Sequence, residues 1–143
     1  MTASLLGQAA LGKSIALPLF SHHISAGFPS PAQDYVERTL DLNELCIRHP
    51  TATFFVKVSG DSMKNAGIYH EDILVVDRAL HARHGDIVVA FINQEFTVKE
   101  LHLKPQLQLC PHNPDYPVLP IRDTDEFEVF GVVTSVIRNI PRP

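Results

Sequence analysis

The chain has 143 residues, of which 45% are hydrophobic and 20% are charged, and its formal net charge is -4. This length suffices for one compact domain with a hydrophobic core and is too short to expect two. A negative net charge gives no indication of the basic surface with which proteins bind phosphates, so we expect no direct binding to nucleic acid.

The cysteines and histidines give no sign of a metal or a cofactor. Cys46 and Cys110 stand far apart and in no CxxC motif, which predicts neither a disulfide framework nor a zinc site and fits a reducing cytoplasm. The pairs His22–His23 and His81-x-x-His84 lack a third ligand at a recognised spacing, so we interpret them as solvated loop residues. Because no apolar run approaches the roughly 18 residues of a membrane-spanning helix, we expect no membrane association.

The N-terminal part reads as an arm. Residues 1–30 lack sustained hydrophobic periodicity and run into "GFPSPA", whose prolines favour extended or turning backbone. We therefore predict a flexible N-terminal arm over residues 1–30 and a single domain over residues 31–143. Between residues 32 and 49 the apolar spacing favours one or two short helical turns, which Pro50 ends.

From residue 51 onward the hydrophobic period changes to two. The segments rich in Val, Ile, Phe and Thr, separated by turn signals, are "TATFFVKVS", "DILVVD", "GDIVVAFIN", "EFTVKELHL", "LQLC" and "EFEVFGVVTSVIR". Such alternation is typical of half-buried strands. The sequence thus predicts a mainly β domain of folded antiparallel strands.

A serine lies in a tight turn after the first of these strands, within "VSGDSMKNAGI". Ser-Gly-Asp-Ser is common turn composition, so Ser62 alone reads as a turn residue. To act as a nucleophile it needs a base, and the sequence pairs none of the eight histidines with it. On this stretch alone both interpretations stay open.

Lys99 is the candidate for the missing base. In "EFTVKELHL" alternate side chains share a face, so Lys99 lies with Thr97 and Leu101. Burial between apolar neighbours lowers the pKa of a lysine, and the neutral amine can then accept a proton. The alternative is an edge-strand lysine that discourages aggregation or extends its charge to water.

The serine and the lysine together carry a resemblance to a known family. "SGDSM", with a lysine 37 positions later in "FTVKEL", resembles the LexA-type self-cleaving serine peptidases (peptidase S24), in which a Ser-Lys dyad replaces the Ser-His-Asp triad. The segments "PLFSHHISAGFPSPAQDYVERTLDLNEL" and "EVFGVV" resemble, in order and spacing, the UmuD proteins of the bacterial SOS mutagenesis response. The similarity covers about residues 17–136 and implies a LexA/UmuD-like β fold. Residues 1–16 show no family pattern.

The resemblance implies a role for each candidate residue. Ser62 would be the nucleophile and Lys99 the general base, and the scissile bond would be Ala26–Gly27 in the chain's own arm. The backbone N–H groups of Asp61 and Ser62 would stabilise the oxyanion. A small residue before glycine suits a narrow cleft, although "SAG" without the resemblance is simply a flexible link.

The resemblance also implies partners. RecA filaments on single-stranded DNA would stimulate the cut, and the trimmed homodimer would join a UmuC-like Y-family polymerase in error-prone translesion synthesis in the cytoplasm. One alternative is a dimerisation module like the C-terminal half of a phage repressor, with a vestigial peptidase. Because an arm of about 30 residues is too short for a helix-turn-helix domain, a repressor is disfavoured. A type I signal peptidase shares the Ser-Lys chemistry but would need a membrane anchor.

Overall fold

An antiparallel sheet dominates the computed structural model, which describes residues 1–10, 12–20 and 36–143. Its strands are β1 Thr2–Gln8, β2 Ala16–Phe20, β3 Val36–Asp41, β4 Thr53–Ser59, β5 Ile73–Asp77, β6 Ile87–Ile92, β7 Glu95–His102, β8 Gln108–Cys110, β9 Leu119–Pro120 and β10 Phe127–Ile137. One short α-helix, α1 Leu42–Cys46, and two 3-10 helices, Pro50–Ala52 and Lys64–Ala66, complete these described segments. The prediction of a mainly β fold is confirmed.

The large sheet closes on itself. Its strand order is β1-β4-β5-β10-β6-β7-β8-β9, and β1 also pairs with β7. The strands β1, β4, β5, β10, β6 and β7 therefore form a closed barrel, and β8 and β9 extend it beyond β7. The strands β2 and β3 form a separate two-stranded sheet.

The barrel interior holds the main hydrophobic core. Inward-facing residues of several strands are almost completely buried, among them Val56, Val58, Leu74, Val89 and Val98. Burying one such aliphatic side chain contributes roughly 1.5–3 kcal/mol, so this cluster supplies a large part of the stability. It also fixes β4 and β7, the two strands that position the candidate site.

The N-terminal third differs in detail from the sequence-based expectation. The structure has two strands, β1 and β2, among the residues predicted as arm. Strand β1 pairs with the distant β4 and strand β2 with the following β3, and the local sequence indicates neither pairing. Helix α1 falls where helical turns were predicted, and the Asp41 side chain caps it by accepting a hydrogen bond from the Asn43 amide at 3.0 Å. Strand β3, just before it, was not predicted. The domain division at residue 30 stays a prediction, since residues 21–35 lie outside the described part.

Among the described residues no helix has the length and apolar character needed to cross a membrane.

Candidate active site

Ser62 lies in a turn that leaves the end of β4. Gly60 follows the strand with φ 95°, a left-handed conformation that favours glycine. Beyond the serine, the 3-10 helix Lys64–Ala66 is closed by Gly67 at φ 81°. Two glycines thus let the chain bend sharply on both sides of Ser62, which is completely buried.

Met63 anchors this turn in the barrel core. Its side chain has no exposed surface and belongs to the main core cluster. Its carbonyl accepts hydrogen bonds from the amides of Ala66 at 3.0 Å and Ile68 at 3.3 Å. The residue after the serine therefore fixes the turn through both its side chain and its backbone.

The structure places Lys99 beside Ser62. The lysine projects from β7, with its Nζ atom 3.2 Å from the Ser62 Oγ atom. Nζ also donates to the Thr97 hydroxyl at 3.0 Å and to the Val98 carbonyl at 3.2 Å. The two residues that the sequence singles out, 37 positions apart, meet inside the protein.

The surroundings of Lys99 favour its neutral form. The side chain is 9% exposed, and burial is the largest cause that lowers its pKa below the ordinary 10.5. No carboxylate is hydrogen-bonded to Nζ among the described residues. A buried lysine without a carboxylate partner is suited to accepting a proton.

A second segment, the loop Pro111–Tyr116, holds the serine turn in place. The His112 amide donates to the Ser62 carbonyl at 2.9 Å. The side chain of Asn113, 3% exposed, donates to the Asp61 carbonyl at 3.0 Å. The Tyr116 hydroxyl donates to the Asp61 carboxylate at 2.5 Å. Sequence reasoning recognised only turn composition here, because no local pattern indicates that this loop packs against a turn some fifty residues earlier.

The structure describes the predicted oxyanion donors but not the predicted scissile bond. Within the described part of the chain, the amides of Asp61 and Ser62 donate no hydrogen bond, whereas the Gly60 amide is taken by His70 Nδ1 at 3.1 Å. The first two amides therefore have no acceptor among the described residues, and their role as oxyanion donors stays a prediction. Ala26–Gly27 lies outside the described residues.

On the outer face of β7, Glu100 lies between two histidines. Its carboxylate contacts His102 and, at 3.1 Å, His112. Burial acts to raise the pKa of Glu100, but the two histidine hydrogen bonds outweigh it and hold the pKa below its ordinary value. No group of three His, Cys, Asp or Glu side chains in the described ranges has an arrangement that could hold a metal ion.

The chain is similar in sequence to known proteins over most of its length. A family model described as Peptidase S24-like matches residues 18–134. Protein SamA of Salmonella typhimurium is 54% identical over 120 residues, covering 84% of each chain. Protein MucA of Escherichia coli is 51% identical over 127 residues, covering 88% of this chain and 87% of MucA. The LexA repressor of Bordetella pertussis is 38% identical over 142 residues, covering 99% of this chain and 62% of the repressor.

Proposed function

The chain belongs to the Peptidase S24-like family, and we propose that it is a self-processing serine peptidase of the SOS response that cuts its own Ala26–Gly27 bond. The observation that carries the proposal is the 3.2 Å distance between Lys99 Nζ and Ser62 Oγ, both groups being buried. The similarity to MucA, SamA and the LexA repressor supports it.

The chemistry follows from these groups. Neutral Lys99 takes the proton of the Ser62 hydroxyl as Oγ attacks the Ala26 carbonyl carbon. The amides of Asp61 and Ser62 stabilise the resulting oxyanion. When the Ala26–Gly27 bond breaks, the lysine ammonium returns the proton to the Gly27 nitrogen. Water, deprotonated by Lys99, then attacks the ester between Ser62 and Ala26. As the ester bond breaks, the lysine ammonium returns this proton to Ser62 Oγ, and residues 1–26 are released with a free carboxylate.

The tether between substrate and nucleophile favours self-cleavage. Ser62 follows Gly27 by 35 residues, a length that spans on the order of 100 Å when extended, so reach is no obstacle. Because the bond and the nucleophile belong to one chain, the attack is effectively unimolecular.

We further propose that two trimmed copies form a homodimer. The face around α1 and the end of β10 exposes large apolar side chains, since Leu42, Leu45 and Ile137 are 65%, 54% and 41% exposed. An apolar patch of this kind marks an interaction surface. Leu45→Asp is expected to shift the molecular mass in sedimentation equilibrium from that of a dimer toward that of a monomer.

The biological partners in the proposal come from the family resemblance. A RecA filament on single-stranded DNA stimulates the cut, and the trimmed dimer acts as accessory subunit of a UmuC-like Y-family DNA polymerase. In this proposal the protein acts in the cytoplasm and needs no cofactor. Its partners, and not the chain itself, contact the DNA.

Mass spectrometry of the purified protein, with and without RecA filaments, tests the proposal. The wild type should lose residues 1–26 slowly at alkaline pH and faster with filaments, whereas Ser62→Ala and Lys99→Ala should stay intact. Lys57→Ala is the matched control, because Lys57 is also a strand lysine but is 46% exposed and paired with Glu71.

Some results would contradict the proposal. A wild type that stays intact under all these conditions would favour a dimerisation module with a vestigial peptidase. A Lys99→Ala protein that is cut at the wild-type rate would place the base elsewhere. Efficient cutting of a Gly27→Glu variant would show that the bond is misassigned.

A further inference from the structure

Strand β1 fills the space between the strand that leads to Ser62 and the strand that carries Lys99. It pairs antiparallel with β4, from Thr2 opposite Ser59 to Gln8 opposite Phe54. It also pairs with β7, where Thr2 lies opposite Thr97. Met1, the residue before β1, belongs to the barrel core cluster, and the Ala3 side chain packs against that cluster. An extended segment of the chain itself thus occupies the groove at the candidate active site.

Met1 contacts Ser62 and the residues of β7 next to Lys99. The Met1 α-amine lies 2.6 Å from Ser62 Oγ. The Met1 carbonyl accepts hydrogen bonds from the Thr97 hydroxyl at 2.9 Å and from the Val98 amide at 3.3 Å. Burial, followed by the hydrogen bond with Lys99, lowers the pKa of the amine to about 5. The amine is therefore neutral at about pH 7 and places no buried positive charge next to Lys99.

This arrangement is incompatible with attack on a peptide bond. A reacting carbonyl carbon must approach within about 3–3.5 Å of the nucleophilic oxygen. The Met1 nitrogen lies at 2.6 Å from that same oxygen, and Met1 also takes the backbone and hydroxyl donors of β7 next to Lys99. The scissile segment and β1 cannot occupy the groove together.

We propose that β1 is an autoinhibitory strand, which holds the peptidase latent by occupying the groove and must leave before Ala26–Gly27 can reach Ser62. The proposal rests on the proposed function, since it concerns the regulation of the same site. The strand pairs with β4 at six positions but with β7 at only one, and most of its side chains are exposed, so it can leave the β7 side of the groove at the loss of few contacts. It lies outside residues 18–134, which the family model matches.

A reversible disulfide tests whether the strand must leave. Thr2 and Ser59 are direct cross-strand partners whose hydroxyls touch, so Thr2→Cys with Ser59→Cys can lock β1 in place. The lock still leaves the arm free to reach, because the roughly 24 residues between Thr2 and Ala26 span on the order of 80 Å when extended. Self-cleavage at alkaline pH should slow by about tenfold or more on oxidation, as expected when the competent population falls, and recover on reduction. The two single variants, oxidised in the same way, are the controls.

A second pair of variants releases the strand without a cross-link. Ala3→Asp places a charge on the inward face of β1, whereas Ser4→Asp places the same charge on its exposed face. Ala3→Asp should raise the rate of self-cleavage in the absence of filaments by about tenfold, and Ser4→Asp should leave it within about twofold. Hydrogen exchange of the β1 amides, which does not depend on activity, should become fast only in Ala3→Asp.

The outcomes separate the two proposals. If the wild type is cut but a verified disulfide between positions 2 and 59 leaves the rate unchanged, or if Ala3→Asp frees the strand without accelerating the cut, the autoinhibitory strand is refuted while the peptidase stands. If no variant is cut at any pH, the proposed function itself fails, and the regulatory proposal fails with it.

Discussion

Replacing Asn113 with alanine tests whether the loop Pro111–Tyr116 positions the nucleophile. The side chain is 3% exposed and makes two hydrogen bonds at 3.0 Å, donating to the Asp61 carbonyl and accepting from the Asp115 amide. Each such bond contributes about 0.5–1.5 kcal/mol net, which gives about 1–3 kcal/mol for the pair. The Asp61 carbonyl keeps a second donor, the Lys64 amide at 3.2 Å. We therefore expect Asn113→Ala to lower the free energy of unfolding by about 1–2 kcal/mol.

Urea denaturation in a Ser62→Ala background measures this loss without interference from cleavage. The rate of self-cleavage, measured with the serine present, should fall by about tenfold or more because the turn loses an anchor and the nucleophile its alignment. Tyr116→Phe is the matched control, since it removes a hydrogen bond from the same loop to the Asp61 side chain, but at a residue that is 40% exposed. A loss of stability no larger in Asn113→Ala than in Tyr116→Phe, together with an unchanged rate, would refute the reasoning.

Three other perturbations test the site and its support. The self-cleavage rate should rise with pH and level off below pH 10.5, because burial lowers the pKa of Lys99 and only the neutral amine accepts a proton; a rate that falls between about pH 7 and 9, measured by mass spectrometry, would contradict this. Met63→Ala should lower the free energy of unfolding by about 2–5 kcal/mol, since the side chain is fully buried, and unchanged urea midpoints would be inconsistent with its anchoring role. Gly131→Ala should cost about 1–3 kcal/mol, because its Cβ would lie 2.7 Å from Val76 Cγ1, and an unshifted Tm would argue against that close approach.

Local patterns in the sequence predicted the strands but not their closure into a barrel. The strands β4 to β7 and β10 are identified by their Val, Ile and Phe content, with alternation in strands such as β7 and a continuous apolar run in β5 and β6, which are buried on both faces. The alternation in β7 also puts Thr97 and Lys99 on one face, and the structure shows their side chains hydrogen-bonded. In contrast, β1 has few buried side chains, so its pairing with β4 leaves little hydrophobic signal. Its contacts are mostly made by the backbone, which is the same for nearly every residue type.

The sequence predicted the two central residues of the candidate site but not the contacts that hold them in place. Ser62 and Lys99 stand in motifs whose chemistry and spacing resemble a known family, so the pair could be named before the structure. The residues that hold the Ser62 turn in place could not be predicted, because their contacts join segments that are distant in sequence. Asn113 reaches the Asp61 carbonyl across 52 positions, and Met1 reaches Ser62 across 61. A turn composition such as "HNPD" predicts a turn but not the surface against which it packs.

Burial of the base and blockage of the groove are coupled through Met1. Burial is the largest cause of the lowered pKa of Lys99, and Met1 contributes to that burial by covering Ser62 and accepting the hydrogen bond of Thr97, which in turn binds Nζ. The Met1 amine acts in the opposite direction, because its hydrogen bond raises the pKa of Lys99. Release of β1 therefore removes both a cause that lowers this pKa, the burial by Met1, and a cause that raises it, the hydrogen bond. A scissile segment that fills the groove would exclude water again without bringing an amine to Ser62, so only the lowering effect of burial would return. Occupancy by the scissile segment rather than by β1 is thus what distinguishes the cutting state from the latent one in this proposal.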